Sequence, residues 1–231
     1  MDVISKGVNY FSVEKNLQIA IDDGKVIRLI TYAMSTDVEN TLDKIIWRIL
    51  KKFDRLDLQS LIYTCTKELA INGTKANHKR LFFEDNALDI YNDEDYLKGL
   101  ELYKDVMREE QMLEYGKRAK RCGLYVKISF YYDKDVLRIE VSNNTGITPQ
   151  EEKRLREKLS KTMQYDDLMQ YYLENTDETE GSGMGIALII ILLKGAKINP
   201  NLFRISIKKE MIISKIEIPM SKDFSSTRID K

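Results

Sequence analysis

Histidine, cysteine and proline are scarce in this sequence, and each scarcity removes a class of function. The 231 residues include one histidine, His78, which excludes a histidine-rich metal site and any Ser-His-Asp triad that does not use it. Two cysteines, Cys65 and Cys122, lie far apart without CxxC spacing, as expected of reduced thiols in a cytoplasmic protein. Three prolines and no Gly/Ser-rich linker leave nothing to divide the chain, so residues 1–231 read as a single domain. The most apolar window, Met184–Leu193, falls far short of the roughly 20 residues that span a bilayer. Met1–Gly7 carries Asp2 and Lys6 and opens no signal pattern. Neither sign of charge is in excess, with 37 basic and 37 acidic side chains. A phosphate-backbone binder needs a basic surplus to displace counterions, so nucleic acid is not expected as a partner, nor is a membrane.

What is present is the composition of a globular protein, 43% hydrophobic and 32% charged. Leu17–Ile21 and Val26–Tyr32 flank Asp22-Asp23-Gly24 and predict a hairpin. Ser35-Thr36-Asp37 caps a helix patterned by Val38, Leu42, Ile45, Ile46, Ile49 and Leu50. Leu58, Leu61, Ile62, Cys65 and Leu69 give the inward face of a second helix. Residues 79–121, rich in charge and tyrosine, read as a helical insertion with a solvated face, and His78 just before them as a solvent-side or lid-side residue. Strands follow at Tyr125–Tyr132 and Val136–Ser142 around an Asp133-Lys134-Asp135 turn, then a charged helix at Pro149–Lys161. Phe203–Lys208 and Ile212–Ile218 form a closing hairpin, and Ser221–Lys231 a frayed tail. Helices early and paired strands late predict an α+β, two-layer sandwich with a mixed, mostly antiparallel sheet and helices on one face.

Three short segments carry candidate chemistry. Gly181-Ser182-Gly183-Met184-Gly185 precedes the apolar helix Ile186–Leu193, leaving main-chain N–H groups open at a positive helix end that suits phosphate. It neither follows a strand nor opens a βαβ unit, so a dinucleotide fingerprint does not fit, and no P-loop is present. Glu68 and Asn72 lie four apart on one helix face, a carboxylate able to activate a hydroxyl beside an amide oxygen suited to Mg²⁺. Lys75, a turn further on, can reach a phosphate as a point charge. Val141–Ile147 ends a strand with Asn143, Asn144, Thr145 and Gly146, where a side-chain oxygen can accept from an adenine amino group while Gly146 admits the ring. Taken singly, these also fit a glycine turn, a polar helix face and an Asn-Gly-type turn.

In this order, the segments resemble the nucleotide site of the gyrase, chaperone, histidine-kinase and MutL (GHKL) ATPase superfamily, over roughly Leu17 to Met220. Glu68–Asn77 looks like its N-box, Val141–Ile147 its G1 box, Thr148–Glu180 its lid and Gly181–Gly185 its G2 box. The resemblance implies ATP and Mg²⁺ as ligands, with Glu68 as general base and Asn72 as metal ligand. Lys75, Asn143, Gly146, Gly181, Ser182, Gly183, Met184 and Gly185 would join Asn72 around the nucleotide. The G1 box departs from the family's D-x-G-x-G: it is one residue shorter, and Asn143 stands where the aspartate is expected. A neutral acceptor there should weaken adenine binding by about 1–2 kcal/mol. Without a histidine upstream of the N-box, the chain resembles a module acting on a partner in trans rather than a self-phosphorylating sensor kinase. Its layout is similar to the anti-sigma-factor serine kinases, with a protein partner or phosphoacceptor implied and a homodimer allowed. The alternative is a nucleotide-responsive protein-binding module without turnover.

Overall fold

A computed structural model describes residues 10–106, 109–175 and 184–226. The protein is α+β, with a five-stranded sheet in the order β1-β2-β3-β5-β4. The strands are β1 (Ile27–Thr31), β2 (Val126–Tyr132), β3 (Val136–Asn143), β4 (Phe203–Lys208) and β5 (Met211–Pro219). Expected to be mostly antiparallel, the sheet is antiparallel at each of its four pairings. Before the β2–β3 hairpin come α1 (Tyr10–Asp22), α2 (Thr36–Lys52), α3 (Gln59–Asp85), α4 (Asp93–Val106) and α5 (Glu109–Arg121). After it come α6 (Pro149–Thr162), α7 (Leu168–Glu174) and α8 (Met184–Gly195).

Strand alternation decides which face the helices cover. Val126, Ile128 and Phe130 of β2, Leu137, Ile139 and Val141 of β3 and Ile216 and Ile218 of β5 form one core with buried residues of α2, α3 and α8. Between them, Arg138 and Glu140 of β3, Lys215 and Glu217 of β5 and Arg204 of β4 occupy the other face by register. Glu217 is fully buried there, with Arg138 Nε and Arg204 Nη2 each 3.2 Å away.

The early hairpin is not formed. Leu17–Ile21 belongs to α1, and Asp22-Asp23-Gly24 ends that helix. The Lys25 and Gly24 N–H groups reach back to the carbonyls of Ala20 (2.9 Å) and Ile21 (3.0 Å), satisfying its last acceptors. Turn chemistry is shared between hairpins and helix C-caps, and the short apolar cluster did not separate them. Ser35 caps α2 as expected, its hydroxyl accepting from the Val38 N–H at 3.4 Å. The tail is not frayed over residues 221–226. Phe224 packs on the core, and the Ser221 and Ser226 hydroxyls donate to Asp135 and Glu217, each at 2.6 Å. Residues 227–231 lie outside the described ones.

The expected insertion begins inside α3, which runs unbroken to Asp85. With α4 and α5 it builds a second, smaller core from Phe82, Phe83, Ile90, Tyr96 and Leu100. Gly99 lets α4 approach α3, since a Cβ there would lie 2.3 Å from the Phe83 ring. Gly99→Ala should therefore cost about 1–3 kcal/mol of stability by overpacking, although alanine is the better helix former. Urea denaturation of the variant checks this, and an equal or higher midpoint would refute it.

Candidate functional site

α3 carries most of the site because its two flanks meet different partners. On the inward flank Cys65, Leu69, Ala70, Gly73 and Thr74 are buried. At Gly73 the helix crosses the ends of β2 and β3, where a Cβ would lie 3.0 Å from Val126 Cγ2 and 3.5 Å from Asn143 Cβ. Glu68 is half-buried, and Asn72 and Lys75 are exposed on the outer flank. Burial pushes the Cys65 thiol up to about 12, with the neighbouring Glu68 charge adding to it, so Cys65 packs and does not react.

α8 supplies the opposing wall. Its sequence is apolar on nearly every side because it is wedged between α3 on one side and α6 and α7 on the other. At its first turn, a Cβ on Gly185 would stand 2.8 Å from Glu68 Oε2 and 3.2 Å from Asn72 Nδ2. Met184 and Gly185 open the helix directly over these two side chains. The other three predicted residues of the glycine-rich segment, Gly181, Ser182 and Gly183, lie outside the described residues.

Asn143 meets the inward flank of α3, beside Gly73 and Asn77. It is the last residue of β3 and is buried. Its Nδ2 donates to Thr145 Oγ1 at 2.8 Å and to Asn77 Oδ1 at 3.4 Å. The Thr145 hydroxyl in turn donates to Asn77 Oδ1 at 2.9 Å. Gly146 sits just beyond, its carbonyl accepting from Arg80 Nη2 at 2.8 Å. Lys75 follows Asn72 along α3, and its carbonyl accepts from the Tyr103 hydroxyl of α4 at 2.9 Å.

An ion cluster that sequence reasoning missed ties this loop to α6. Glu151 completes a capping box with Thr148 at the start of α6. Its carboxylate also pairs with Lys79 Nζ and Arg80 Nη2 of α3. Burial pushes the Glu151 carboxyl up, but Arg80 and Lys79 outweigh it and hold the group down at about 2. One cluster thus joins α3, the Gly146 loop and the head of α6. The capping signature was legible in Thr148-Pro149-Gln150-Glu151, whereas the reach of Lys79 and Arg80 across about 70 residues was not.

His78 corrects its expected position. It is fully buried rather than facing solvent or the lid, with Nε2 2.8 Å from the Tyr32 carbonyl and Nδ1 unpartnered. Because α3 runs on past Asn77, His78 extends the buried row of Ala70 and Thr74 at four-residue steps. Burial lowers its pKa, opposed by the Tyr32 backbone contact. In the expected lid, α6 and α7 pack against α8. Lys194 donates to the Met163 and Tyr165 carbonyls at 2.8 and 2.7 Å, pinning the link between them. Of its polar end, Asn175 is buried and donates to the Tyr171 carbonyl at 2.6 Å, and residues 176–180 lie outside the described ones.

Among the described residues no cluster of histidine, cysteine, aspartate or glutamate forms an all-protein metal cage. A single amide or carboxylate facing a phosphate-bound Mg²⁺ needs none. Also among them, no helix is long and apolar enough to cross a membrane.

No family model matches the chain. No solved structure matches it. It is similar to an uncharacterized protein of Treponema pallidum (strain Nichols), with 28% identity over 211 residues, 87% of this chain. The match takes in 41% of that protein, so the chain spans about two-fifths of the relative's length.

Proposed function

We propose that this chain is a Mg²⁺-ATP-binding module of the GHKL type that transfers phosphate to a protein partner or to water. The observation that carries the reading is the juxtaposition at Gly185. Segments more than a hundred residues apart, joined at first only by their order, converge so closely that a Cβ at Gly185 would strike Glu68 and Asn72. Glycine at that point keeps open the space where a phosphate would meet the head of α8. The acceptor set fits as well: Asn72 offers a neutral amide oxygen on an exposed flank, and Glu68 lies one turn away.

In this reading the main-chain donors at the start of α8 and the Lys75 ammonium hold the phosphates. Asn72 holds the metal, and Glu68 takes the proton from the attacking hydroxyl. Bound Mg²⁺ supplies neutralisation of the phosphate charge. The protein's own contribution is positioning, the main requirement of phosphoryl transfer. Asn143 accepts from the adenine amino group, and Gly146 leaves room for the ring. The burial of His78, which cannot present its ring to a second active site, favours a phosphoacceptor other than this histidine, as in an anti-sigma-factor-like layout.

The test is a thermal-shift titration of the whole chain with Mg²⁺-ATP, ADP and GTP. At a hundred times its Kd, a bound nucleotide adds about 2.7 kcal/mol. Glu68→Ala should keep the ATP shift and lose phosphate release. A parent protein insensitive to every nucleotide would refute the proposal. One observation favours a second reading, a nucleotide-responsive binding module: the G1 position holds a neutral, buried amide already engaged with Thr145 and Asn77. An ATP shift in the parent without phosphate release would select that reading.

A further inference from the structure

We infer that Asn77 is a positioning residue for base selection, holding Asn143 through Thr145 so that a 6-amino purine is accepted and a 6-keto purine refused. The inference rests on the adenine reading of Asn143 given above. An asparagine at this position is ambiguous in a way an aspartate is not. Turned one way, it presents an acceptor to the adenine amino group; turned over, it presents a donor to a 6-keto oxygen. Selectivity therefore depends on what fixes the amide.

Three hydrogen bonds behind Asn143 couple its orientation to that of Asn77. Asn77 Oδ1 accepts from the Thr145 hydroxyl at 2.9 Å, which leaves Thr145 Oγ1 to accept from Asn143 Nδ2 at 2.8 Å. Asn143 Nδ2 also approaches Asn77 Oδ1 at 3.4 Å. Both donor hydrogens of the Asn143 amide are directed inward, and Oδ1 is the atom left to meet a base. Turning Asn143 alone would bring two amide oxygens to 3.4 Å and force the Thr145 hydroxyl off Asn77. Asn143 can reverse only if Asn77 reverses with it, so the determinant lies one residue behind the base.

Asn77 is poised for such a role. It is 1% exposed, and its own Nδ2 is buried without a partner. A buried amide donor left unpaired costs stability, so packing alone does not account for an asparagine there. A leucine of similar size would fill the position without the orphaned donor. What leucine would lack is an oxygen to orient Thr145.

ITP and ATP differ at the decisive atoms, 6-keto with N1–H against 6-amino with bare N1, and ITP lacks the 2-amino group that complicates GTP. Calorimetric titration of the wild type, Asn77→Ala and Thr145→Val with Mg²⁺-ATP and Mg²⁺-ITP tests the inference. The wild type should prefer ATP by about tenfold, and both variants should fall below about threefold, since one misdirected amide contact is worth about that ratio. A merely structural role would weaken both nucleotides together and leave the ratio unchanged. That outcome, or equal binding of the two nucleotides by the wild type, overturns the inference. If Asn77→Ala fails to fold, Thr145→Val carries the test, because it removes one hydroxyl at nearly constant volume. A wild type that binds neither nucleotide overturns the adenine reading itself, and this inference falls with it.

Discussion

Glu151→Ala is expected to lower the unfolding free energy at pH 7 by about 4 kcal/mol, the range for removing one partner from a buried ion pair. The carboxylate is 8% exposed and is shared by Lys79 and Arg80, whose side chains are themselves mostly covered. Alanine would leave two cations without their counter-charge and delete the capping box that starts α6. Guanidinium denaturation followed by circular dichroism measures the loss. A change below about 1 kcal/mol would mean the cluster behaves as an exposed pair.

The same residue predicts an acid limb. Its carboxyl titrates at about 2 in the folded protein, against an ordinary 4.5. A depressed folded pKa contributes stability that is complete above the unfolded value and fades as pH falls. The loss should therefore run from about pH 4.5 down to about pH 2 and amount to roughly 3 kcal/mol. Glu151→Gln removes the titrating group, so the stability difference between wild type and variant should shrink across that window. A constant difference from pH 6 to pH 2.5 would count against the assignment.

Gly185→Ala should cut Mg²⁺-ATP-dependent phosphate release by about a hundredfold while leaving the fold intact. The new methyl would sit 2.8 Å from Glu68 Oε2 and 3.2 Å from Asn72 Nδ2, so both side chains must move. Neither is rigidly enclosed, and alanine gains about 1 kcal/mol of helix propensity over glycine, so little net stability is lost. Function has no such tolerance: a displacement of about 1 Å in a positioned group costs on the order of a hundredfold in rate. Gly195→Ala, at the other end of α8 where a Cβ meets nothing within 4 Å, is the matched control. Unchanged phosphate release in Gly185→Ala would remove the main support for the proposed site.

The elements legible in the sequence are those whose signal is local. β2 and β3 announce themselves by two-residue alternation around Asp133, whose side chain accepts from the Asp135 and Val136 N–H groups and sets the turn. α2 carries its cap and its inward stripe within one segment. α1 replaces the expected strand because Leu17, Ile19, Ala20 and Ile21, four apolar residues before a turn, fit either period. His78 lies deeper than expected because polar residues on the buried row of α3 hide that row from hydrophobic periodicity.

By itself the sequence determined the strands, most helices and the fold class, and it marked Glu68, Asn72, Asn143 and Gly185 as candidates for a site. These follow from spacing along one chain, where the repeat of each element is a property of neighbouring residues. Tertiary packing alone decided that the head of α8 lies over Glu68 and Asn72. It also decided that Lys79 and Arg80 reach Glu151, and that Asn77 stands behind Asn143. Contacts between distant segments depend on how whole faces are buried together, and no local pattern records that geometry.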